Sequence, residues 1–208
     1  EDIKKLVSLQ RNHFKSGTTK PYQNRIALLR KLKEVILSNK DKIYGALKKD
    51  LNKCEFEAYV SETGLLIKDI DFVVKKLKRW MRPNRIKTPL IHFPAKSYIY
   101  HEPYGTILII APWNYPLQLL ISPLIGALSA GNTAIIKPSE IARNTSHVVA
   151  EIIGKHFDPE VVSVVEGSVQ ETTHLLNEHF DYIFYTGSAK VGKIVMENAA
   201  RHLTPITL

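Results

Sequence analysis

The stretch from Pro103 to Ile136 contains no charged residue, and it limits the possible folds more than any other feature of the sequence. Its length and apolarity alone suggest a helix that spans a membrane. Four prolines interrupt the stretch, however, and proline ends or kinks a helix. A short strand, a turn, a buried helix and a second strand are a better interpretation, because continuous apolar runs are typical of parallel strands buried on both faces. We therefore expect a soluble core here and no membrane segment in this chain.

Apolar runs and helical periodicities alternate from residue 104 to residue 208. Four strands, each followed by a helix, predict a parallel sheet with helices on both faces, joined by right-handed crossovers. The fold class is therefore α/β with a Rossmann-like sheet. The predicted strands are GTILIIA (105–111), NTAIIK (132–137), VVSVV (161–165) and YIFYT (182–186), and the helices that follow them are 116–131, 145–157, 171–178 and 189–203.

The sequence before this alternation has a helical pattern. Apolar residues recur at three- and four-residue steps in 20–38 and again in 55–80. Pro83 ends this pattern, and residues 96–102 alternate in the manner of a half-exposed strand. We therefore divide the chain into an N-terminal helical layer over 1–82, a strand segment over 83–103 and the Rossmann-like domain over 104–208.

The charge of the chain is uneven. Residues 1–100 hold 23 Lys and Arg against 10 Asp and Glu, whereas the whole chain has a net charge of +9. A basic half can bind nucleic acid or an anionic membrane surface. These basic residues are spread over helical segments without a nucleic-acid-binding motif, so we interpret them as the solvated faces of amphipathic helices and expect no nucleic-acid partner.

Cysteine usage indicates a reducing compartment. Cys54 is the single cysteine, which excludes an internal disulfide, and the first residues lack the pattern of a signal peptide. We therefore expect a cytoplasmic protein. Cys54 lies in DLNKCEFEAYV, which we interpret as a helix that carries a structural or surface thiol.

The first candidate site is the loop APWNYP at 111–116, which follows a predicted strand. Ligands of parallel sheets bind at the carboxyl ends of the strands. Prolines on both sides restrict the backbone of Trp113 and Asn114. The Asn114 amide can donate hydrogen bonds to a developing oxyanion, or it can cap the helix that follows; the spacing leaves both possibilities open.

Two further strand-end loops have residues typical of nucleotide binding. KPSE at 137–140 offers Lys137 and Glu140, and a carboxylate is a usual partner of a ribose diol. In YTGSAKVG at 185–192, Gly187 permits close approach to the backbone. Ser188 can cap a helix whose N-terminus would attract a pyrophosphate. A surface turn with an ion pair and an ordinary strand-to-helix loop are the alternatives. CxxC, HExxH and GxxxxGK[ST] are missing, and the histidines fall at no metal-ligand spacing, so we expect no metal site.

In this order and spacing, the segments EPYGTILIIAPWNYP, GNTAIIKPSE and FYTGSAKVGKIV resemble the aldehyde dehydrogenase superfamily. The run KKDLNKCEFEAYVSETG resembles its class 3 branch, which acts on fatty and aromatic aldehydes. The resemblance covers essentially the whole chain. It implies NAD-dependent oxidation of a small-molecule aldehyde to a carboxylic acid, with NADP also possible, and a homodimer of the intact protein through the segment 83–103.

The resemblance also implies roles for single residues. Asn114 matches the side-chain donor of the oxyanion hole, and Trp113 matches its neighbour in the cofactor cleft. Lys137 and Glu140 match the pair that binds the adenosine ribose, where Glu140 favours NAD because a carboxylate repels a 2′-phosphate. Four residues match the segment against which the pyrophosphate and adenine lie: Gly187, Ser188, Val191 and Gly192.

In the superfamily a cysteine thiolate attacks the aldehyde, and a glutamate activates the water that releases the acid. Both residues belong to segments that follow TPITL, the strand-like sequence at 204–208. The resemblance therefore implies that the catalytic domain is absent from this sequence. The alternative is a catalytically inert fragment that binds a nucleotide or another anion.

Overall fold

A computed structural model describes residues 2–208 and confirms the α/β class. The N-terminal helices are α1 (Ile3–Lys15), α2 (Tyr22–Ser38), α3 (Lys40–Leu51), α4 (Glu55–Ala58) and α5 (Gly64–Trp80). The strands are β1 (Asn84–Ile86), β2 (Ser97–Ile99), β3 (Thr106–Ile110), β4 (Thr133–Lys137), β5 (Val162–Val164), β6 (Tyr182–Tyr185) and β7 (Ile206–Thr207). The remaining helices are α6 (Gln118–Ala130), α7 (Arg143–His156), α8 (Val169–Asn177) and α9 (Ala189–Ala200).

The main sheet is parallel and has the order β5-β4-β3-β6-β7. The alternation predicted from residue 104 is confirmed, with boundaries that differ by a few residues. The apolar stretch after Pro103 forms β3, a turn, α6 and β4, as predicted, and Gly131 ends α6 with a φ of 88°. No helix within residues 2–208 is long and apolar enough to cross a membrane.

Side chains alternate along the strands and supply two separate hydrophobic clusters. Ile107 and Ile109 of β3 face the cluster formed with α2, α3, α5, α6 and α7. Leu108 and Ile110 face the opposite cluster, with α8 and α9. Helix α1 joins this second cluster through Leu6 and Val7, so the N-terminal helices cover both faces of the sheet.

The long helix predicted over 55–80 contains a π-helical turn, Tyr59–Thr63, between α4 and α5. A π turn adds one residue to a helical turn and often marks a functional site. Gly64 follows it, and a Cβ atom there would collide with the Tyr59 carbonyl oxygen. Cys54 lies in the short connection before α4, outside the helix predicted for it, and its thiol is exposed and free.

Residues 83–103 form an exposed arm. The strand predicted over 96–102 is shorter in the structure, where β2 pairs in antiparallel register with β1. The connection between them exposes the apolar side chains of Leu90, Ile91 and Phe93, each by more than 80%.

Candidate cofactor-binding site

The three predicted loops meet at one edge of the sheet. The last residue of β3, Ile110, is in register with Lys137 of β4 and with Tyr185 of β6. The loops that follow therefore border a common cavity of about 690 Å³. Its walls include Trp113, Asn114, Lys137, Glu140, Gly187, Ser188 and Val191. Gly192, the other residue of the predicted set, is buried beside the ring of Tyr185 and does not line the cavity.

The Asn114 side chain is exposed on this cavity. Among residues 2–208 it has no hydrogen-bond partner, and the residue that precedes α6 is Leu117, which cannot cap a helix with its side chain. The first N–H groups of α6 donate instead to the carboxylate of Glu62, at 3.1 Å from Leu117 and 2.8 Å from Gln118. The alternative that Asn114 caps this helix therefore finds no support, and its amide is free to bind a ligand.

Lys137 and Glu140 lie at one end of the cavity. The Lys137 side chain is 2% exposed, its Nζ donates to the Pro138 carbonyl at 2.8 Å, and it lies 3.6 Å from a carboxylate oxygen of Glu140. Burial lowers the pKa of Lys137 below its usual 10.5, and the charge of Glu140 partly opposes that shift. Glu140 is about half exposed, so its carboxylate can reach a ligand hydroxyl.

The loop after β6 begins α9 in the predicted way. The Ser188 hydroxyl accepts a hydrogen bond from the Val191 N–H, which confirms Ser188 as the helix cap. The N–H groups of Ala189 and Lys190 have no partner inside the helix and are open to an anion. A Cβ atom at Gly187 would overlap the Tyr185 hydroxyl, so a side chain here would force the Tyr185 ring to move.

A buried ion pair of Lys53 and Glu62, neither of them among the predicted site residues, lies beside the Asn114 loop. A signal was present in the sequence. Glu62 recurs at four-residue steps with Ala58, Leu66 and Ile70, all of which are completely buried, so a carboxylate stands in an otherwise apolar helical stripe. Buried carboxylates are rare unless they are paired, which makes such a position worth attention.

A second cavity, of about 600 Å³, lies beside Arg25, Trp80 and Ala130. Ala130 precedes β4, so this cavity is at the amino ends of the strands, away from the edge at which ligands of parallel sheets bind. Residues 2–208 contain no cluster of three or more His, Cys, Asp or Glu side chains that could hold a metal ion.

The larger cavity combines the groups that a dinucleotide needs. Apolar side chains such as Ile141, Leu176 and Val191 line much of it. Glu140 and Lys137 offer an acceptor and a donor for ribose hydroxyls, and the start of α9 offers N–H groups for a pyrophosphate. Its volume lies in the usual range for small-molecule sites.

Comparison with known proteins gives one consistent family. The model of the "Aldehyde dehydrogenase family" matches residues 1–208. Aldehyde dehydrogenase family 3 member H1 of Arabidopsis thaliana is 45% identical over 203 residues, which are 98% of this chain and 42% of that protein.

Two solved structures extend the likeness to the fold. The substrate-bound state of Staphylococcus aureus AldH has a TM-score of 0.98 at 46% identity and covers 100% of this chain and 45% of its own. The NAD+ complex of an aldehyde dehydrogenase from Bacillus cereus has a TM-score of 0.87 at 25% identity and covers 100% of this chain and 43% of its own. The chain thus spans less than half the length of these relatives.

Proposed function

The chain belongs to the aldehyde dehydrogenase family, with its relatives in class 3, and on that premise we propose that it binds NAD and supplies the oxyanion donor for oxidation of an aldehyde to a carboxylic acid. The observation that carries this proposal is the shared cavity, which brings Asn114, Lys137, Glu140 and Ser188 together at one edge of the sheet.

The cofactor of this proposal is NAD, with NADP also possible. Lys137 and Glu140 bind the adenosine ribose, and Gly187, Ser188, Val191 and Gly192 form the segment beside the pyrophosphate and adenine. The open N–H groups at the start of α9 and the acidic side chain of Glu140 support this orientation. Trp113, which is half exposed on the cavity, lines the cofactor cleft beside Asn114. When bound, the cofactor accepts a hydride.

Asn114 acts on the aldehyde. A thiolate adds to the carbonyl carbon, and the negative charge that develops on the carbonyl oxygen accepts a hydrogen bond from the Asn114 amide. Preorganised donors of this kind often supply the largest share of transition-state stabilisation. The thiolate and the water-activating glutamate of this mechanism lie outside the chain; Cys54, exposed in the connection before α4, does not line the cavity.

A cytoplasmic homodimer completes the proposal. The arm over 83–103 exposes Leu90, Ile91 and Phe93 almost fully, and side chains of this size are usually covered in a stable assembly.

The decisive test is Asn114→Ala in the enzyme that contains this chain together with the nucleophile. We expect the rate of NADH formation to fall about a hundredfold or more, because one oxyanion donor is lost. The dissociation constant for NAD, measured by calorimetry, should stay nearly constant because Asn114 does not hold the cofactor. An unchanged rate would remove Asn114 from the mechanism, and NAD binding without any aldehyde oxidation by the unaltered protein would favour an inert nucleotide-binding chain.

A further inference from the structure

The buried ion pair of Lys53 and Glu62 is used by none of the roles assigned above. The side chain of Glu62 is 0% exposed and that of Lys53 is 6% exposed, and Lys53 Nζ lies 2.5 Å from Glu62 Oε1. Removing two charges from water is costly, and apolar side chains of similar volume often give equal or greater stability. Stability alone is therefore a poor explanation for the pair, and its neighbours suggest another.

Glu62 holds the C-terminal end of the loop that carries Asn114, where α6 starts. The π-helical turn Tyr59–Thr63 directs its carboxylate at the start of α6, where Oε2 accepts from the N–H groups of Leu117 and Gln118. These donors would otherwise have no partner, because no side chain within the loop caps α6. A carboxylate is also the group that a helix N-terminus prefers.

Lys53 holds the same loop at Asn114 itself. Its Nζ donates to the backbone carbonyl of Asn114 at 3.2 Å and lies 4.2 Å from the centre of the Tyr115 ring. The pair thus holds the backbone at Asn114 and again at Leu117, with the buried Pro116 between them. The backbone of Asn114 is anchored while its amide remains uncommitted on the cavity.

We propose that Lys53 and Glu62 are positioning residues for the Asn114 amide: they hold the loop so that this donor lies at the oxyanion before substrate arrives. The inference rests on the oxyanion role proposed for Asn114. The segment from α3 to α5, which does not line the cavity, then determines how strongly the Asn114 amide stabilises the oxyanion. A donor displaced by about 1 Å can lose a large part of its effect on the rate.

The experiment is a double-mutant cycle in the intact enzyme, built from Glu62→Gln, Asn114→Ala and the two combined. We expect Glu62→Gln to lower the single-turnover rate of NADH formation about tenfold, with the NAD dissociation constant changed less than about twofold. In the Asn114→Ala background the same substitution should change the rate less than about twofold, because the residue through which it acts is gone. A merely structural role for Glu62 would give additive effects instead.

Glu62→Gln leaves Lys53 buried without a charged partner, and this variant can therefore fail to fold. A second variant tests the proposal in that event. Lys53→Met combined with Glu62→Leu fills the same space without charge, and we expect it to fold and to show the same loss of rate. The control is Asp50→Asn, which removes the carboxylate at the start of α7 and should leave the single-turnover rate at saturating NAD unchanged.

The outcomes separate the two proposals. If Asn114→Ala itself leaves the rate unchanged, the proposed oxyanion role is wrong. If Asn114→Ala slows the reaction but Glu62→Gln and the double replacement do not, or if their effects add to that of Asn114→Ala, the positioning role is overturned while the oxyanion role stands.

Discussion

At the residue scale, the two charged side chains that follow β4 differ chiefly in their exposure. Lys137 is almost completely buried, whereas Glu140 is about half exposed. The lowered pKa of Lys137 means that the folded protein releases this proton at a lower pH than the unfolded chain does. Stability from this group therefore rises as pH increases through the folded pKa towards 10.5. Burial costs Lys137 some stability but holds its donor in a fixed place, which suits the proposed role at a ribose hydroxyl.

The exposed partner is expected to govern cofactor choice. We expect Glu140→Gln to lower the ratio of kcat/KM for NAD over NADP by roughly fivefold to tenfold, because a carboxylate near the surface repels a 2′-phosphate by about 1 kcal/mol. Steady-state kinetics with both cofactors measures this ratio.

A matched control for cofactor choice is Glu171→Gln. Glu171 belongs to the capping box at the start of α8 and does not line the cavity, and glutamine can also serve in that box. The ratio should not move in this variant. An unchanged ratio in Glu140→Gln as well would argue against the ribose role of Glu140.

At the element scale, the four helices α6–α9 begin in two different ways. Helices α8 and α9 are capped by Ser168 and Ser188, which immediately precede them. Helices α6 and α7 have no such cap, and each receives a carboxylate from the N-terminal helices: Glu62 for α6 and Asp50 for α7. The N-terminal region thus completes two of the three helices that start at the loops bordering the cavity.

Asp50 gives a pH-dependent test of this arrangement. Its carboxylate accepts hydrogen bonds from the backbone and side chains of Asn144 and Thr145, over 2.7–3.1 Å. Partial burial raises the pKa of Asp50, but these four hydrogen bonds together lower it below 3.8. Because the folded pKa is depressed, the stabilisation is complete above 3.8 and is lost as pH falls through the folded value.

We expect Asp50→Asn to reduce the free energy of unfolding by about 1–2 kcal/mol at pH 7. The difference from the unaltered protein should shrink below pH 3.8, and urea titrations at several pH values measure it. Glu151→Gln is the control: it removes an exposed pair with Lys42 and should cost less than about 0.5 kcal/mol. Equal losses in both variants, or a pH-independent loss, would contradict the capping role of Asp50.

At the scale of the whole molecule, three of the four most exposed large apolar side chains among residues 2–208 lie in the arm. Leu90, Ile91 and Phe93 project from the connection between β1 and β2, outside both hydrophobic clusters. Covering such side chains stabilises an assembly by about 1.5–3 kcal/mol for each one that becomes fully buried. The proposed homodimer would bury them.

Replacement of Leu90 and Ile91 by Asp should therefore shift the intact protein from dimer to monomer at micromolar concentration, as measured by sedimentation equilibrium. The control, Leu37→Asp, changes an exposed leucine of α2 and should leave the dimer intact. A monomeric unaltered protein, or a double variant that remains dimeric, would count against the arm as the interface.

The sequence by itself determined those features that depend on neighbours along the chain. Alternation of apolar runs predicted the sheet, and Ser188 acts on residues within one helical turn, so its capping role was correctly predicted. Parallel strands also align their carboxyl ends, which is why three loops could be assigned to one site before the structure was known.

Tertiary structure alone decided which groups complete that site. Glu62 and Asp50 lie 55 and 95 residues from the amides of Leu117 and Thr145 that they bind, and no local pattern predicts such pairs. The choice between capping and ligand binding at Asn114 was open for the same reason, since it depended on a carboxylate from a different helix. Periodicity predicts which face of a helix is buried, but the partner on that face is fixed only when the elements pack together.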